Sequence, residues 1–316
     1  MKNIWKELSK DKKPFVALAP MAGVTDFPFR EIIAEIGKPD VMFTEFVSTE
    51  HIARVSETPL VLKFSKKQRP IIAQFFGSKP EQFEKCAQLA LKLGFDGIDI
   101  NMGCPDRKVL KQGAGSELIK NSELAVEIIR TVKKVVDGKI PVSVKTRIGW
   151  DEKNISKYLE ILKNIVATEN ISAITIHGRT AKQGYSGNAD WETIGKFTKE
   201  LKKVNKNLIV IGNGDIKNLA QGKMLVDKYD LDGFMIGRQI LKNPWVFSSG
   251  RKFSAPTIRK RLKIALKHTE LFQKFYGEKA SFGAMKKYYK AYLSGFEIKK
   301  DLMNAKNFEE AKKILK

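Results

Sequence analysis

Short apolar runs bounded by glycine and proline recur along the first three quarters of the chain. They are VALAP at 16–20, VMF at 41–43, PIIAQF at 70–75, GIDIN at 97–101, PVSVK at 141–145, AITIH at 173–177, LIVIG at 208–212 and GFMIG at 233–237. Their apolar residues run on without a clean polar alternation, which suits strands covered on both faces and so a parallel sheet. The intervals carry helical periodicity with readable ends. Ser78 and Glu81 read as a capping box, Phe83, Cys86, Ala87 and Ala90 fall on one face, and Gly94 closes the turn. Asp190 precedes a second stripe of Trp191, Ile194, Phe197 and Leu201. Eight strand-helix units over roughly 230 residues predict an α/β protein, a (β/α)8 TIM barrel over residues 1–247, with a doubly wound sheet as the alternative. From about Ala255 onward no strand-like run remains. Ile258, Leu262 and Ala265, then Leu271, Phe272 and Phe275, recur at helical spacing and predict a small all-helical domain over 248–316, joined through the Ser-containing stretch 247–256.

Charge sharpens this division. The 316 residues carry a formal net charge of +23, and 42% of them are hydrophobic, which excludes a disordered scaffold. Residues 250–316 hold 18 Lys and Arg against 6 Asp and Glu, so about half the excess lies on a fifth of the chain. A basic face of this density points to a polyanion, and nucleic acid is the expected partner, against the plainer reading of a solvated surface. With two Cys and three His there is no disulfide framework, no Cys-x-x-Cys pair and no zinc-binding His-Glu-x-x-His helix, so no metal is expected. The longest apolar run, 15–24, is broken by Pro20 and is too short to span a bilayer. No membrane association, a cytoplasmic location and a monomer are expected.

In such a barrel the chemistry lies where strands finish and loops begin. Unusual polar residues gather there: Gln74 on the third run, Asn101 and Cys104 on the fourth, Lys145 and Arg147 on the fifth, His177 and Arg179 on the sixth, Asn213 on the seventh and Arg238 on the eighth. The loops GNGD at 212–215 and GR at 237–238 offer glycine-relaxed backbone N–H groups to a phosphate. Asn213, Gly214, Asp215, Gly237 and Arg238 are therefore read as cofactor-binding. GNGDIK fails the dinucleotide fingerprint at Lys217, and no P-loop is present. Lys145 can set a fixed positive charge beside an electron-rich ring, and Gln74 and His177 can hydrogen-bond its heteroatoms. Together they suit a flavin mononucleotide (FMN) across the barrel mouth. Cys104 lies in the glycine-rich NMGCPDRKVLKQGAG, whereas Cys86 falls on an apolar helix stripe. A thiol with an ordinary pKa near about 8.5 stays protonated and can serve as a general acid; a thiolate nucleophile activated by His177 is the alternative.

MAGVTDFPFR at 21–30, NMGCPDRKVLKQGAGS at 101–116, KTRIGWD at 145–151, HGRTAKQGYSG at 177–187 and GNGDI at 212–216, with GAMKKYYKAYLSG at 283–295 in the tail, resemble the tRNA-dihydrouridine synthases. The resemblance implies an FMN-bound barrel in which NADPH reduces the flavin. The flavin then delivers a hydride to C6 of a uridine in the D-loop of tRNA, and Cys104 gives the proton to C5. It implies that the backbone of Ala19, Pro20 and Met21 joins Gln74, Lys145 and His177 around the cofactor. Asn101, Arg147, Arg179 and Tyr185 fall on the substrate side.

Two rivals share parts of this reading: a small-molecule flavin oxidoreductase on the same barrel, and an RNA-binding protein without turnover. Division of labour between the two domains predicts that deleting 250–316 weakens tRNA binding far more than flavin binding; equal loss of both, in filter-binding and flavin-absorbance assays, would count against it.

Overall fold

Each of the eight apolar runs becomes a parallel strand. The computed structural model describes residues 3–10, 13–248, 256–279 and 281–316. The strands are β1 (Phe15–Leu18), β2 (Met42–Phe43), β3 (Val47–Ser48), β4 (Ile71–Phe76), β5 (Gly97–Met102), β6 (Val142–Arg147), β7 (Ala173–His177), β8 (Ile209–Asn213) and β9 (Gly233–Ile236). Their order is β1-β9-β8-β7-β6-β5-β4-β2, with the two-residue β3 added to β4. A bridge between Ala17 and Val41 joins the remaining edges of β1 and β2, so the sheet rolls into a barrel and the doubly wound alternative is excluded. Helices fill the intervals and cover the outside, as short crossover connections between parallel strands require.

Two apolar layers explain why the runs lack alternation. The larger lies between strands and helices. The smaller gathers Phe15, Ala17, Phe43, Ile72, Ala173, Ile209, Ile211 and Met235 with Ile4 and Trp5. Those two residues come from a helix the sequence reading did not anticipate, Ile4–Ser9, whose first turn is held by Asn3 accepting from the Trp5 N–H. Trp5 is fully buried, its ring 6.1 Å from Phe15 and 6.2 Å from Phe43, and its indole N–H has no hydrogen-bond partner among the described residues. At six residues the helix is too short for a periodic signal.

The helix Pro80–Leu93 buries Phe83, Cys86, Ala87 and Ala90 and ends on a left-handed Gly94, as the pattern predicts, but the capping box is not formed. Pro80 occupies the first turn, where its missing N–H costs nothing, and Lys79 becomes the N-cap without a side-chain bond. Ser78 Oγ instead donates to the Gln112 carbonyl at 2.5 Å. The helix Trp191–Val204 starts as expected, with Asp190 accepting from the Thr193 N–H.

The tail forms helices Ile258–Tyr276, Lys286–Tyr292, Ile298–Asn304 and Phe308–Leu315. Most of the expected linker, including Gly250, lies outside the described residues. Phe29, fully buried in the barrel helix Phe27–Ile36, packs 4.8 Å from the Tyr288 ring and 5.7 Å from His268. Tyr288 also donates its hydroxyl to the Val24 carbonyl at 2.7 Å, and Phe27 stacks on Phe275 at 4.6 Å. Removing the tail therefore uncovers barrel residues, so its loss does not isolate RNA binding from barrel integrity.

Trp5→Ala is expected to lower stability by about 3–5 kcal/mol in urea unfolding, whereas Trp5→Phe costs distinctly less, because the indole N–H has no bond to lose.

Candidate active site

Inward-facing positions change character along the strands. Phe15, Ile72, Ala173 and Ile209 fill one end of the barrel, while Gln74, Asp99, Asn101, Ser143, Lys145, His177 and Asn213 follow at alternate positions toward the strand C-termini. Burying such groups is tolerable only if they satisfy one another. Gln74 Nε2 donates to Asp99 Oδ2 at 2.6 Å, Ser143 Oγ to Asp99 Oδ1 at 2.6 Å, and Asn101 Nδ2 to Gln74 Oε1 at 2.9 Å. Lys145 Nζ donates to Asn213 Oδ1 at 3.2 Å, and Asn213 Nδ2 to the Met235 carbonyl at 2.8 Å.

Cys104 sits just past β5, half-buried, near Phe46, Phe76, Val109 and Ala114. Asn101 Oδ1 accepts from its backbone N–H at 3.0 Å and from that of Gly103 at 3.1 Å. On the other side, Ser116 donates its N–H and its hydroxyl to the Cys104 carbonyl at 3.0 and 3.1 Å. Gly115 makes that approach possible: its φ is +62°, and a Cβ there would lie 2.7 Å from the Cys104 carbonyl oxygen. Burial raises the Cys104 thiol above its ordinary range, against the Asp106 N–H and the charges of Arg147 and Lys145. The thiol is thus protonated at neutral pH.

Cations crowd the rim. Arg147 donates Nε to the Gly103 carbonyl at 2.6 Å and Nη1 to those of Thr180 and Gly184 at 2.9 Å, tying the Cys104 loop to the loop after β7. Arg179 is 2% exposed and grips both oxygens of Asp215, at 3.0 and 2.7 Å, while also donating to the Ser186 and Gly187 carbonyls. Arg238 lies 3.3 Å from Asp215 and 4.6 Å over the Tyr185 ring. Burial first, then the charges of Lys145, Arg147, Arg179 and Arg238, push His177 well below its ordinary range, so its ring is neutral. Burial, reinforced by Arg147, brings Lys145 down to about 8.

The residues expected at the mouth are brought to the C-terminal ends of the strands, with one departure. Gln74 does not end its strand: β4 runs on to Phe76, and Gln74 is fully buried with its amide engaged by Asp99 and Asn101. Arg147, through Nε and Nη1, and Arg179, through all three guanidinium nitrogens, hold loop carbonyls and Asp215 and so brace the rim loops. Tyr185, 63% exposed, stands at the opening. Gly214 and Asp215 take positive φ of 133° and 54°, and a Cβ at Gly237 would lie within 3.6 Å of Ala19 and Met21, which brings the β1 loop beside the β9 loop. Pro20 is buried between them in sequence. Asp99 and Ser143 were missed, although an aspartate inside GIDIN is the signal that could have found the first. Among the described residues no cluster of potential metal ligands occurs, and no helix is long and apolar enough to cross a membrane.

The profile of the Dihydrouridine synthase (Dus) family matches residues 17–315. A Staphylococcus aureus (strain MRSA252) protein named "Probable tRNA-dihydrouridine synthase" is 37% identical over 321 residues, covering 99% of this chain and 94% of its own. A Bacillus subtilis (strain 168) protein named "Probable tRNA-dihydrouridine synthase 2" is 36% identical over 321 residues, covering 99% and 95%. Among solved structures, morphinone reductase in complex with tetrahydroNAD is similar with a TM-score of 0.53 at 13% identity, covering 77% of this chain and 88% of that one. Histamine dehydrogenase from Rhizobium sp. 4-9 gives 0.54 at 13%, covering 81% and 48%. At these identities the structural likenesses speak to the barrel fold alone.

The Arg179 fork sets a pH dependence. Burial pushes Asp215 up, but the hydrogen bonds from Arg179 and the Ala189 N–H and the nearby guanidinium charges hold it below its ordinary value of 3.8. Its contribution is fully present above 3.8 and is lost as pH falls from there through the lower folded-state value. Asp215→Asn is expected to cost about 1–2 kcal/mol at pH 7, discounted for a side chain one-third open to solvent, and its gap to the parent protein in urea unfolding is expected to narrow progressively as pH falls below 3.8.

Proposed function

Because the chain belongs to the dihydrouridine synthase family, we propose that it reduces the C5–C6 double bond of a uridine in tRNA, with FMN held at the barrel rim and NADPH as reductant. The observation that carries this reading is a partly exposed free thiol, Cys104, raised by burial above its ordinary range, beside a rim whose cations have few carboxylates to answer them.

The rim suits a phosphorylated flavin on its own chemistry. His177 Nδ1 is buried without a hydrogen-bond partner among the described residues, so a ligand atom there would satisfy it. Lys145, His177 and Asn213 would hold the ring system, and the backbone of Ala19, Pro20 and Met21 would support it. The N–H groups of Gly214, Asp215 and Gly237, with Arg238, would take the phosphate. When bound, the flavin supplies the hydride that C6 of the uracil receives.

Every other part of the reaction falls to the chain. Cys104 Sγ holds the proton delivered to C5, and Arg147 and Lys145 are the charges that favour the thiolate left behind. Tyr185, between Arg147 at 5.9 Å and Arg238 at 4.6 Å, gives the entering nucleotide an aromatic face. Drawing a uridine out of folded tRNA costs a few kcal/mol, which phosphate contacts must offset. Exposed Arg259, Lys260 and Lys263 on the first turns of the long tail helix, with Lys290 on the next, can supply them.

Cys104→Ala is expected to keep the bound flavin absorbance while turnover falls by about 10²–10⁴, measured as loss of the two-hydrogen mass gain in tRNA nucleosides. Undiminished turnover would remove Cys104 as the proton donor, and a colourless protein that takes up no FMN would remove the flavin.

A further inference from the structure

Asp99 is a buried carboxylate that the proposed reaction does not use. It is fully enclosed on β5, in register with Gln74 on β4 and Ser143 on β6. A carboxylate only accepts hydrogen bonds, whereas a terminal amide has one accepting end and one donating end. The acceptor at Asp99 Oδ2 therefore obliges Gln74 to turn its NH₂ inward, 2.6 Å away. That leaves Gln74 Oε1 facing Asn101, which must answer with its own NH₂ at 2.9 Å. Asn101 is then left with Oδ1 toward the loop, where the N–H groups of Gly103 and Cys104 need an acceptor, at 3.1 and 3.0 Å.

We propose that Asp99 is a positioning residue for Cys104: its carboxylate is the fixed acceptor at the closed end of an amide relay, Asp99–Gln74–Asn101, whose open end holds the backbone that carries the thiol. Gln74 and Asp99 are fully buried and Asn101 nearly so, so water cannot repair a link that turns the wrong way. Burial raises Asp99 to about 6 against the Ser143 and Gln74 hydrogen bonds and the Lys145 charge, so it is ionised at neutral pH and both its oxygens accept. The Ser143 hydroxyl also reaches Asp99, at 2.6 Å, but stands outside the relay.

Iodoacetamide alkylation of the protein as purified reads the thiol directly. The chain has two cysteines, and Cys86 is fully buried with its thiol pushed up to about 12, so the probe reports Cys104. Asp99→Leu and Gln74→Met each cut one link and are expected to speed alkylation about tenfold. Cuts in series do not add, so the double variant should match either single one. Asp99→Asn keeps an acceptor toward Gln74 while Ser143 takes its N–H, and should stay within about twofold of the parent. Ser143→Ala should lower Tm yet leave alkylation unchanged. The proposal fails if Gln74→Met or Asp99→Leu leaves alkylation unchanged, if the two effects multiply, or if Ser143→Ala speeds it equally. Should Asp99→Leu not fold, Gln74→Met decides alone. The consequence for turnover rests on Cys104 as proton donor, but the alkylation readout does not, so the two can fail separately.

Discussion

Positive charge gathered in a partly dehydrated rim is the constraint from which the rest of the site follows. Lys145, Arg147, Arg179 and Arg238 all act on His177, and Asp215 pairs with two of the four. Charges of one sign stay this close only when other dipoles solvate them. Here the dipoles are loop carbonyls: Arg147 collects those of Gly103, Thr180 and Gly184, and Arg179 those of Ser186 and Gly187. The loops are thus wrapped around guanidinium groups. An anionic ligand is what the remaining field favours.

The basic tail shares its core with the barrel. Tyr288 holds the Val24 carbonyl, and Tyr276 reaches Asp26, whose other oxygen caps the helix Phe27–Ile36. Arg30, itself buried, donates to the Thr25 carbonyl and to Gln68. The turn after β1 is therefore gripped from two directions, by the tail and by its own helix. Its other end, Ala19 to Met21, faces the β9 loop. A segment beside the proposed cofactor position is set in part by the helices that carry the surplus charge.

The strands were legible because a wall covered on both sides must be apolar throughout, and no other pattern in VALAP or AITIH competes with that demand. The rim residues were legible because polar side chains break those runs near one end. What escaped depends on partners far apart in the chain. Ser78 looks like a cap until Pro80 and the Gln112 carbonyl are seen beside it. That Arg147 and Arg179 also tie loops together shows only once the carbonyls they hold are in place. Asp99 looks like a flaw in an apolar strand until Gln74 and Ser143 arrive in register. Charge density alone could mark the tail as basic, but not that its Tyr288 would be buried against Phe29.

The stopper formed by Trp5 gives the molecule two poles with different tolerances for change. At the sealed pole a new side chain meets tightly packed hydrocarbon, and its effect is felt as folding energy. At the open pole loops can lengthen or exchange residues without disturbing that packing, and their variation is felt as chemistry. Drift in related chains can therefore retune recognition at one pole while the other keeps the scaffold intact.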